Sequence, residues 1–576
     1  MRPLCAAVLA LASVAVAAPQ GSGWGDAHSG DGYGGDKNAV SATSSSGASA
    51  TPSAGSGSAA PTVHLQNGSY YGVHSSSYNQ DFFLGIPFAQ PPLGELRFTN
   101  PQSLNQSWAN AVPATQYAKE CVGYGGDQIG YEVSEDCLYL NVIRPSGYEN
   151  QDLPVAVWIH GGGFYQGGTP DRRYNLSFIV ENSVQIGKPI IGVSIVYRLN
   201  AWGFLNSNEV KGSGQTNIGL RDQRLALHWI QENIKAFGGA PEKVAIWGES
   251  AGAASVGFQL TAYNGRDDKL FRAGIMESGN PVAYGPLNGT DFYQPLFDGV
   301  VSAAGCSAAS DKLDCLRRVP FATLNQVLNN TNISTSWNPT VDGDFIQRYT
   351  SIQLAEGDFV KVPIISGANS DEGTAFSPRG INTTADFQYW LQTTTTRQYA
   401  LPQPLVQSLL TAYPDIPDQG IPSSASLGGD IRLGPPFGAQ YRRSAAYFGD
   451  EVFIANRRLT CQTWANASVP AYCYRFNAIP TGITWPTQVT HFQEVAFVLN
   501  NLAGLGYAVN PFENKSSAYT NLSKFMSNSW ASFPVYDTAK PQDFVFDANV
   551  TSYAEPDTYR QAGIELITRN NIAYHR

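Results

Sequence analysis

Nine residues decide the fold: Val244-Ala245-Ile246-Trp247-Gly248-Glu249-Ser250-Ala251-Gly252. The first four are apolar, which indicates a buried strand. The serine lies between two glycines, and glycine allows the close packing and unusual backbone angles that a sharp turn requires. After the turn, the residues from Ala251 to Leu260 are mostly small and apolar, as a buried helix would be. The stretch therefore predicts a strand, a sharp turn and a helix, with Ser250 lifted out of the turn.

Further apolar runs and one amphipathic helix extend this prediction to an α/β fold. The helix is indicated by apolar residues at helical spacing, ended by Gly238-Gly239: Leu220, Leu227, Ile230, Ile234 and Phe237. Strands buried on both faces read as continuous apolar runs, and strand, helix, strand is the crossover unit of a parallel sheet. We therefore expect a large, mostly parallel central sheet flanked by helices. Its predicted strands include Val155–Ile159, Ile190–Val196, Val244–Trp247 and Val362–Ile365.

Ser250 needs a base, because a serine hydroxyl is a poor nucleophile until a neighbouring group takes its proton. The chain has seven histidines, and in folds with such a strand–serine–helix turn the base follows both the serine and the acid along the chain. This order excludes His28, His64, His74, His160 and His228. His575 is the penultimate residue, a place that usually frays, so His491 is the predicted base.

The acid that orients the imidazole is expected between Ser250 and His491. The predicted strand Val362–Ile365 continues into Gly367-Ala368-Asn369-Ser370-Asp371-Glu372-Gly373. Functional residues lie at the carboxyl ends of strands in open α/β sheets, so this segment is the favoured source of the acid. Spacing alone leaves Asp371 and Glu372 as nearly equal candidates.

A run of glycines follows the first of these strands, in His160-Gly161-Gly162-Gly163-Phe164. Consecutive glycines expose backbone N–H groups, which can bind the negative oxygen that develops when a carbonyl carbon is attacked. Together with the N–H of Ala251, the loop would supply two or three donors. A phosphate-binding loop is the alternative interpretation, but no Lys followed by Ser or Thr comes after these glycines.

The N-terminal region is predicted to lie outside the folded domain. Arg2, the apolar run Leu4–Val16 and the small residues Val16-Ala17-Ala18 have the pattern of a secretory signal peptide over residues 1–18. Residues 19–61 are mainly Gly, Ser, Ala and Thr, a composition typical of a disordered leader. No later stretch reaches about 18 uninterrupted apolar residues. We expect a secreted protein without a transmembrane anchor, with one folded domain over residues 62–576.

The cysteines and the glycosylation sequons support the expectation that the protein is secreted. The cysteines beyond the signal peptide fall into three close pairs, and neighbours are the simplest disulfide partners: Cys121–Cys137, Cys306–Cys315 and Cys461–Cys473. N-glycans are expected because sequons are frequent. Their asparagines are Asn67, Asn105, Asn175, Asn288, Asn329, Asn332, Asn382, Asn466, Asn514, Asn521 and Asn549. The net charge of −10 argues against a nucleic-acid partner, because an acidic surface repels phosphate.

The stretch Phe237–Gly252 resembles the active-serine signature of the type-B carboxylesterase/lipase family, the cholinesterase-like branch of the α/β-hydrolases. Glu135-Asp136-Cys137-Leu138-Tyr139-Leu140-Asn141 resembles the family's second signature. Shorter matches extend the resemblance from about Leu65 to the C-terminus: Phe83–Ala89, Leu96–Phe98, Asp222–Arg224 and Val341–Asp344. The resemblance, which is to secreted fungal carboxylesterases and lipases, implies a single α/β-hydrolase domain.

The resemblance also implies roles for individual residues. In the family's Asp-Glu-Gly motif the glutamate completes a triad, which implies Glu372 as the acid beside Ser250 and His491. Ser278, in Glu277-Ser278-Gly279, matches a serine that supports the acid through hydrogen bonds. The implied oxyanion donors are the N–H groups of Gly162, Gly163 and Ala251.

The implied activity is hydrolysis of a small-molecule or lipid ester through an acyl-enzyme, with neither a metal nor an organic cofactor. The Cys121–Cys137 loop departs from the family, because it contains Tyr124 and Tyr131 but no Trp to stack on choline. A loop this short also makes a poor lid over a deep acyl tunnel. Two alternatives are a lipase acting on long-chain acylglycerols and a non-catalytic adhesion protein, and the presence of the complete triad argues against the second.

Overall fold

The computed structural model describes residues 60–282, 285–330, 337–393, 399–533 and 543–576. The predicted signal peptide, nearly all of the predicted leader and the sequon at Asn332 lie outside the described residues. Within the described ranges, none of the helices is both long and apolar enough to cross a membrane.

Among the described residues, eleven strands form one central sheet in the order β16-β15-β14-β13-β12-β11-β9-β10-β8-β4-β3. The strands from β15 to β10 in this order are parallel to their neighbours, and antiparallel strands close both edges. The predicted mostly parallel sheet is confirmed. All described strands are β1 (Thr62–Leu65), β2 (Gly68–Tyr71), β3 (Val73–Ser75), β4 (Gln80–Pro87), β5 (Val112–Pro113), β6 (Glu120–Cys121), β7 (Val133–Ser134), β8 (Tyr139–Pro145), β9 (Leu153–Ile159), β10 (Ile191–Ile195), β11 (Gly239–Glu249), β12 (Ala273–Glu277), β13 (Ile364–Asn369), β14 (Ala471–Phe476), β15 (Asp543–Phe546) and β16 (Tyr553–Glu555).

Each predicted strand is present, although its ends are shifted. The last of the four, β13, begins two residues later than predicted and runs to Asn369. Burial on both faces explains why β9 reads as a continuous apolar run. Val155 and Val157 pack in the larger of the two hydrophobic clusters beside the sheet, whereas Ala156 and Trp158 pack in the other. Successive side chains of a strand point to opposite faces, so both faces of β9 must be apolar.

Helices cover the sheet, and the predicted amphipathic helix is α4, followed by a 3-10 turn and by Gly238 at a φ of +87°. The described helices are α1 (Ser177–Gln185), α2 (Asn200–Phe204), α3 (Asn208–Gly212), α4 (Ile218–Asn233), α5 (Ala251–Gly265), α6 (Thr290–Ala303), α7 (Lys312–Arg318), α8 (Phe321–Leu328), α9 (Thr350–Glu356), α10 (Gly373–Phe376), α11 (Thr384–Gln392), α12 (Gln403–Ala412), α13 (Ser424–Leu427), α14 (Tyr441–Gly449), α15 (Ala455–Asn466), α16 (Val495–Val498), α17 (Ser517–Ser532) and α18 (Gln561–Arg569). A π-helical turn, Asp450–Ile454, joins α14 to α15.

All three predicted disulfides are present: Cys121–Cys137, Cys306–Cys315 and Cys461–Cys473. The first closes a loop that packs on the residues following the glycine run, where the Tyr124 N–H donates to the Tyr165 carbonyl oxygen at 2.7 Å. The sequon asparagines differ in accessibility. Asn288 is buried, whereas Asn105, Asn466, Asn521 and Asn549 are exposed.

The site candidates gather at one end of the sheet, because four neighbouring parallel strands end there. The glycine run follows β9, Ser250 follows β11, Ser278 follows β12 and Glu372 follows β13. The loop that carries His491 follows β14, the next strand in the sheet. The topology therefore brings together residues that are more than 300 positions apart in the chain.

Candidate active site

Ser250 occupies a strained turn between β11 and α5. Its φ of +56° and ψ of −122° lie outside the regions that non-glycine residues favour, at a cost of about 1–3 kcal/mol. The Ser250 N–H donates to the Glu277 carbonyl oxygen at 2.8 Å, which fixes the turn against β12. The flanking glycines are required by contact: a Cβ atom at Gly252 would lie 2.0 Å from the Ile159 carbonyl oxygen. The predicted turn has the geometry that exposes a serine hydroxyl.

The glycine run lies against this turn. A Cβ atom at Gly161 would lie 3.2 Å from the Ser250 Cβ atom, so the two segments touch. Gly162 and Gly163 have φ values of +93° and +64°, which L side chains rarely adopt. Neither N–H donates to another described group of the chain. Ala251 is the first residue of α5, where the N–H groups have no partner within the helix. These three donors can bind an anionic oxygen next to Ser250.

His160 anchors the glycine run and is unsuited to be the base. Its ring is fully buried, and this burial lowers its pKa to about 4, so the imidazole is neutral. Its Nδ1 lies 3.0 Å from the Gly161 carbonyl oxygen, and the ring stacks on Tyr197 at 4.6 Å between centroids. The Tyr197 hydroxyl donates to the His160 carbonyl oxygen at 3.0 Å. His160 therefore holds the backbone that carries the exposed N–H groups.

Glu372 is the carboxylate that contacts His491. His491 Nδ1 lies 2.7 Å from Glu372 Oε2. The other oxygen, Oε1, accepts hydrogen bonds from the Asn369 N–H at 2.7 Å and from the Ser278 hydroxyl at 2.5 Å. Asp371 instead points toward the loop after β14, where its Oδ2 accepts from the Val489 N–H at 3.0 Å. Burial raises the pKa of Asp371 to about 6. The two acids that spacing left equal thus have different environments.

The second imidazole nitrogen faces Glu249, a residue that sequence reasoning did not assign to the site. His491 Nε2 lies 3.1 Å from Glu249 Oε1, within ion-pair distance, but the angle does not form a hydrogen bond. Burial and the neighbouring carboxyls, Glu494 first, hold the pKa of Glu249 well above its usual range. Between the described side chains of Ser250 and His491 there is no hydrogen bond. Such bonds are often long before substrate binds.

Glu494 is a second buried carboxyl that sequence reasoning did not assign. Its Oε1 accepts from the Ser278 hydroxyl at 3.2 Å, and its Oε2 accepts from the Asn369 side-chain amide at 2.6 Å. Burial, and then the charge of Glu372, raise its pKa to about 7. Glu494 follows His491 by three residues, so the spacing His491-Phe492-Gln493-Glu494 was the signal that could have identified it. Ser278 and Asn369 therefore join two acids in one network.

Two aromatic rings pack against the imidazole of His491. Phe453 stacks on His491 at 4.8 Å between centroids, and Phe376 meets it edge-on at 5.0 Å. Phe453 lies in the π-helical turn between α14 and α15, and such turns are frequent at functional sites. The spacing of apolar residues gave no signal for this contact, because Phe453 is far from the other site residues in the chain.

The remaining histidines lie elsewhere. His64 and His74 belong to β1 and β3, and His228 belongs to α4. The expectation that His575 frays is wrong, because the Leu287 N–H donates to its carbonyl oxygen at 2.7 Å. Over the described ranges, no group of three or more His, Cys, Asp or Glu side chains has a geometry that could hold a metal ion.

Comparisons with known proteins agree with this geometry. The model of the carboxylesterase family matches residues 59–566. "Secreted lipase 1" of Botryotinia fuckeliana is 36% identical over 72% of this chain and 77% of its own length. "Lipase 4" of Diutina rugosa is 33% identical over 90% of this chain and 97% of its own length.

A solved structure extends the likeness to three dimensions. Aspergillus niger EstA superposes with a TM-score of 0.76 and 27% identity, over 90% of this chain and 99% of that chain. A likeness over nine-tenths of this chain is expected for a shared α/β-hydrolase fold. The chain therefore belongs to the carboxylesterase family and is a carboxylic ester hydrolase.

Proposed function

We propose that the protein is a secreted serine carboxylesterase that acts through an acyl-enzyme on Ser250. In this mechanism His491 Nε2 takes the hydroxyl proton as the serine oxygen attacks the ester carbonyl carbon. The N–H groups of Gly162, Gly163 and Ala251 bind the oxygen that becomes negative. The same imidazole then protonates the departing alcohol, and the bond between the carbonyl carbon and the alcohol oxygen breaks.

The second half of the reaction reverses these roles. His491 takes a proton from water, the hydroxide oxygen attacks the acyl carbon, and the bond to Ser250 breaks as the imidazole returns the proton to the serine. The acid is released. Glu372 holds the tautomer with the proton on Nδ1 and stabilises the imidazolium. The observation that carries the proposal is the 2.7 Å contact of His491 with Glu372, beside a serine in a strained turn.

His491 must turn slightly for this chemistry, because its Nε2 faces Glu249 at 3.1 Å in the structure. Burial and the neighbouring carboxyls raise the pKa of Glu249, which disfavours its ionised form and so weakens an ion pair with the imidazole. Phe453 and Phe376 pack against the imidazole. The proposed step needs the ring to turn toward Ser250 while its Nδ1 keeps the contact with Glu372.

Export and glycosylation are part of the proposal. The N-terminal pattern of a signal peptide, the three disulfides and the exposed sequons support a secreted glycoprotein. Two relatives have names that include the word secreted, the lipase of Botryotinia fuckeliana and the "Secreted triacylglycerol lipase LIP1" of Gibberella zeae, which is 32% identical over 88% of this chain.

A lipase acting on long-chain acylglycerols is the second candidate, because several relatives are named lipases. The short Cys121–Cys137 loop favours the esterase. The loop is bound to the residues that follow the glycine run by the Tyr124 bond to Tyr165 and by the Asp127 N–H, which donates to the Gln166 side chain at 3.2 Å. A lid must detach to admit a long acyl chain, and these contacts oppose detachment.

Substrate profiles separate the two candidates. We expect p-nitrophenyl esters of short and medium acids to be hydrolysed faster than long-chain esters, and no preference for choline esters over neutral esters of equal size. With tributyrin, the rate should rise smoothly through the solubility limit. A sharp increase in rate at that limit would indicate a lipase, because opening a lid exposes apolar surface that the emulsion covers.

A further inference from the structure

A buried carboxyl that the proposed mechanism does not use lies at the base of the Cys121–Cys137 loop. Glu120 forms the short strand β6 with Cys121, and its side chain is fully buried. It packs directly on Gly168, where a Cβ atom would lie 2.5–2.7 Å from the atoms of its carboxyl end. Its Oε2 accepts from the Gln128 side-chain amide at 2.7 Å. Its Oε1 makes no hydrogen bond with any described group.

The charged groups that face Glu120 are mostly acidic. Asp127, on the same loop, and Asp171, beyond the glycine run, both disfavour its ionised form. Among the described residues, Arg173 is the cation that lowers the pKa of Glu120, and this guanidinium already binds Asp127 at 2.5 Å and also Asp171. Tyr131 also interacts electrostatically with the Glu120 carboxyl. Glu132, which lies just before β7, is exposed to solvent and forms an ion pair with Lys119 at 3.0 Å.

Ionising Glu120 would therefore place a third carboxylate beside one guanidinium in a buried site. Burial, followed by Asp171 and Asp127, raises the pKa of Glu120 from 4.5 to about 8. In the folded chain the carboxyl is a neutral acid near pH 6. If the loop detached, water would solvate the group and its pKa would return to about 4.5.

Glu120 and Gln128 connect the loop to the glycine run. The Gln128 amide that binds Glu120 also lies 3.3 Å from the Cys121 carbonyl oxygen and 3.5 Å from that of Gly167. A Cβ atom at Gly167 would lie 2.9 Å from His160 Nδ1, so Gly167 packs on the histidine that anchors the run. The packing thus continues from the Glu120 carboxyl to the backbone that carries the proposed oxyanion donors.

We propose that Glu120, in its neutral form, is a positioning residue that holds the Cys121–Cys137 loop on the glycine run, and that its ionisation releases the loop as the pH rises. The link to catalysis rests on the proposed function, because the glycine run supplies the oxyanion donors there. The closed loop keeps the proton and the open loop loses it, so rising pH favours the open state. Opening should become about tenfold more favourable per pH unit between about 5 and 8, and should level off above that range.

Amide hydrogen exchange of the glycosylated full-length protein tests the release directly. After correction for intrinsic exchange, the opening constant of the Tyr124 and Asp127 amides should rise about tenfold per pH unit in the wild-type protein, while amides in α4 stay constant. Glu120→Gln cannot ionise and keeps the bond to Gln128, so its loop should show no such rise. Glu132→Gln removes an exposed carboxylate next to the same small sheet and should behave as the wild type.

Ester hydrolysis provides the second readout. Relative to Glu120→Gln, wild-type kcat should fall as the pH approaches about 8 and change little above it. A loop opening that is independent of pH in the wild-type protein would overturn the proposal even if Glu120→Gln failed to fold, and so would an unchanged rise in Glu120→Gln. If amide exchange depends on pH as expected but the protein has no esterase activity, the proposed function is contradicted. The role of Glu120 in holding the loop is then still supported.

Discussion

Replacing Gly252 by alanine tests whether close packing of the serine turn sets the rate. The added Cβ atom would lie 2.0 Å from the Ile159 carbonyl oxygen and 3.0 Å from the His160 carbonyl carbon. Real Cβ atoms essentially never approach within 3.0 Å, so the start of α5 must move about 1 Å away from the end of β9. Both obstructing atoms belong to the backbone and cannot rotate aside. The movement separates Ser250 and Ala251 from the glycine run.

A misplacement of about 1 Å at reacting groups costs on the order of 100-fold in rate. We therefore expect Gly252→Ala to lower kcat for p-nitrophenyl butyrate about 100-fold, with a change in KM of less than about threefold. Overpacking should also lower the free energy of unfolding by about 1–3 kcal/mol. Urea denaturation followed by Trp fluorescence measures that change, and the rate is measured well below the denaturation midpoint.

Gly299→Ala is the matched control. Gly299 lies within α6, and a Cβ atom there would meet nothing within 4 Å. This variant should retain wild-type kcat and gain about 0.5–1 kcal/mol of stability, because alanine favours a helix over glycine. A Gly252→Ala enzyme with kcat within about threefold of the wild type would refute the argument that contact with β9 positions the serine.

Two further predictions concern the acid and the disulfides. Glu372→Gln should lower kcat at least about 100-fold more than Asp371→Asn, because only Glu372 contacts the imidazole. Equal losses in steady-state assays would contradict this assignment. Replacing Cys306 and Cys315 by serine should lower the free energy of unfolding by about 2–4 kcal/mol, because the 9-residue link no longer constrains the unfolded chain. Unchanged denaturation curves would contradict that expectation.

Short sequence patterns predicted the serine turn and the glycine run, because both depend on the conformation of a few consecutive residues. The serine turn and the glycine run were both visible because glycine is needed wherever the backbone adopts positive φ or approaches another strand closely. The buried strands were visible because β9, β11 and their neighbours are covered on both faces. The short edge strands β3 and β16 have too few residues to establish an alternating pattern.

The parts that depend on distant contacts could not be predicted. Asp371 and Glu372 are adjacent in sequence, so spacing alone did not separate them, and only the family resemblance implied Glu372. In the structure, the contact with His491 and the hydrogen bonds from Ser278 and Val489 distinguish the two acids. Burial raises the pKa values of the Glu249 and Glu494 carboxyls, and a charged neighbour adds to the rise: Glu494 for Glu249 and Glu372 for Glu494. These neighbours are far apart in the sequence. Phe453, which stacks on His491, lies in a π-helical turn that no sequence pattern indicated.

The central claim is that Ser250 forms the acyl-enzyme, and covalent labelling tests it most directly. A p-nitrophenyl phosphate triester should release one equivalent of p-nitrophenol per chain as it phosphorylates the nucleophile. Peptide mass spectrometry should then find the phosphoryl group on Ser250 alone, and Ser250→Ala should take up no label while keeping its fold. A label on another residue, or full labelling of Ser250→Ala, would contradict the account.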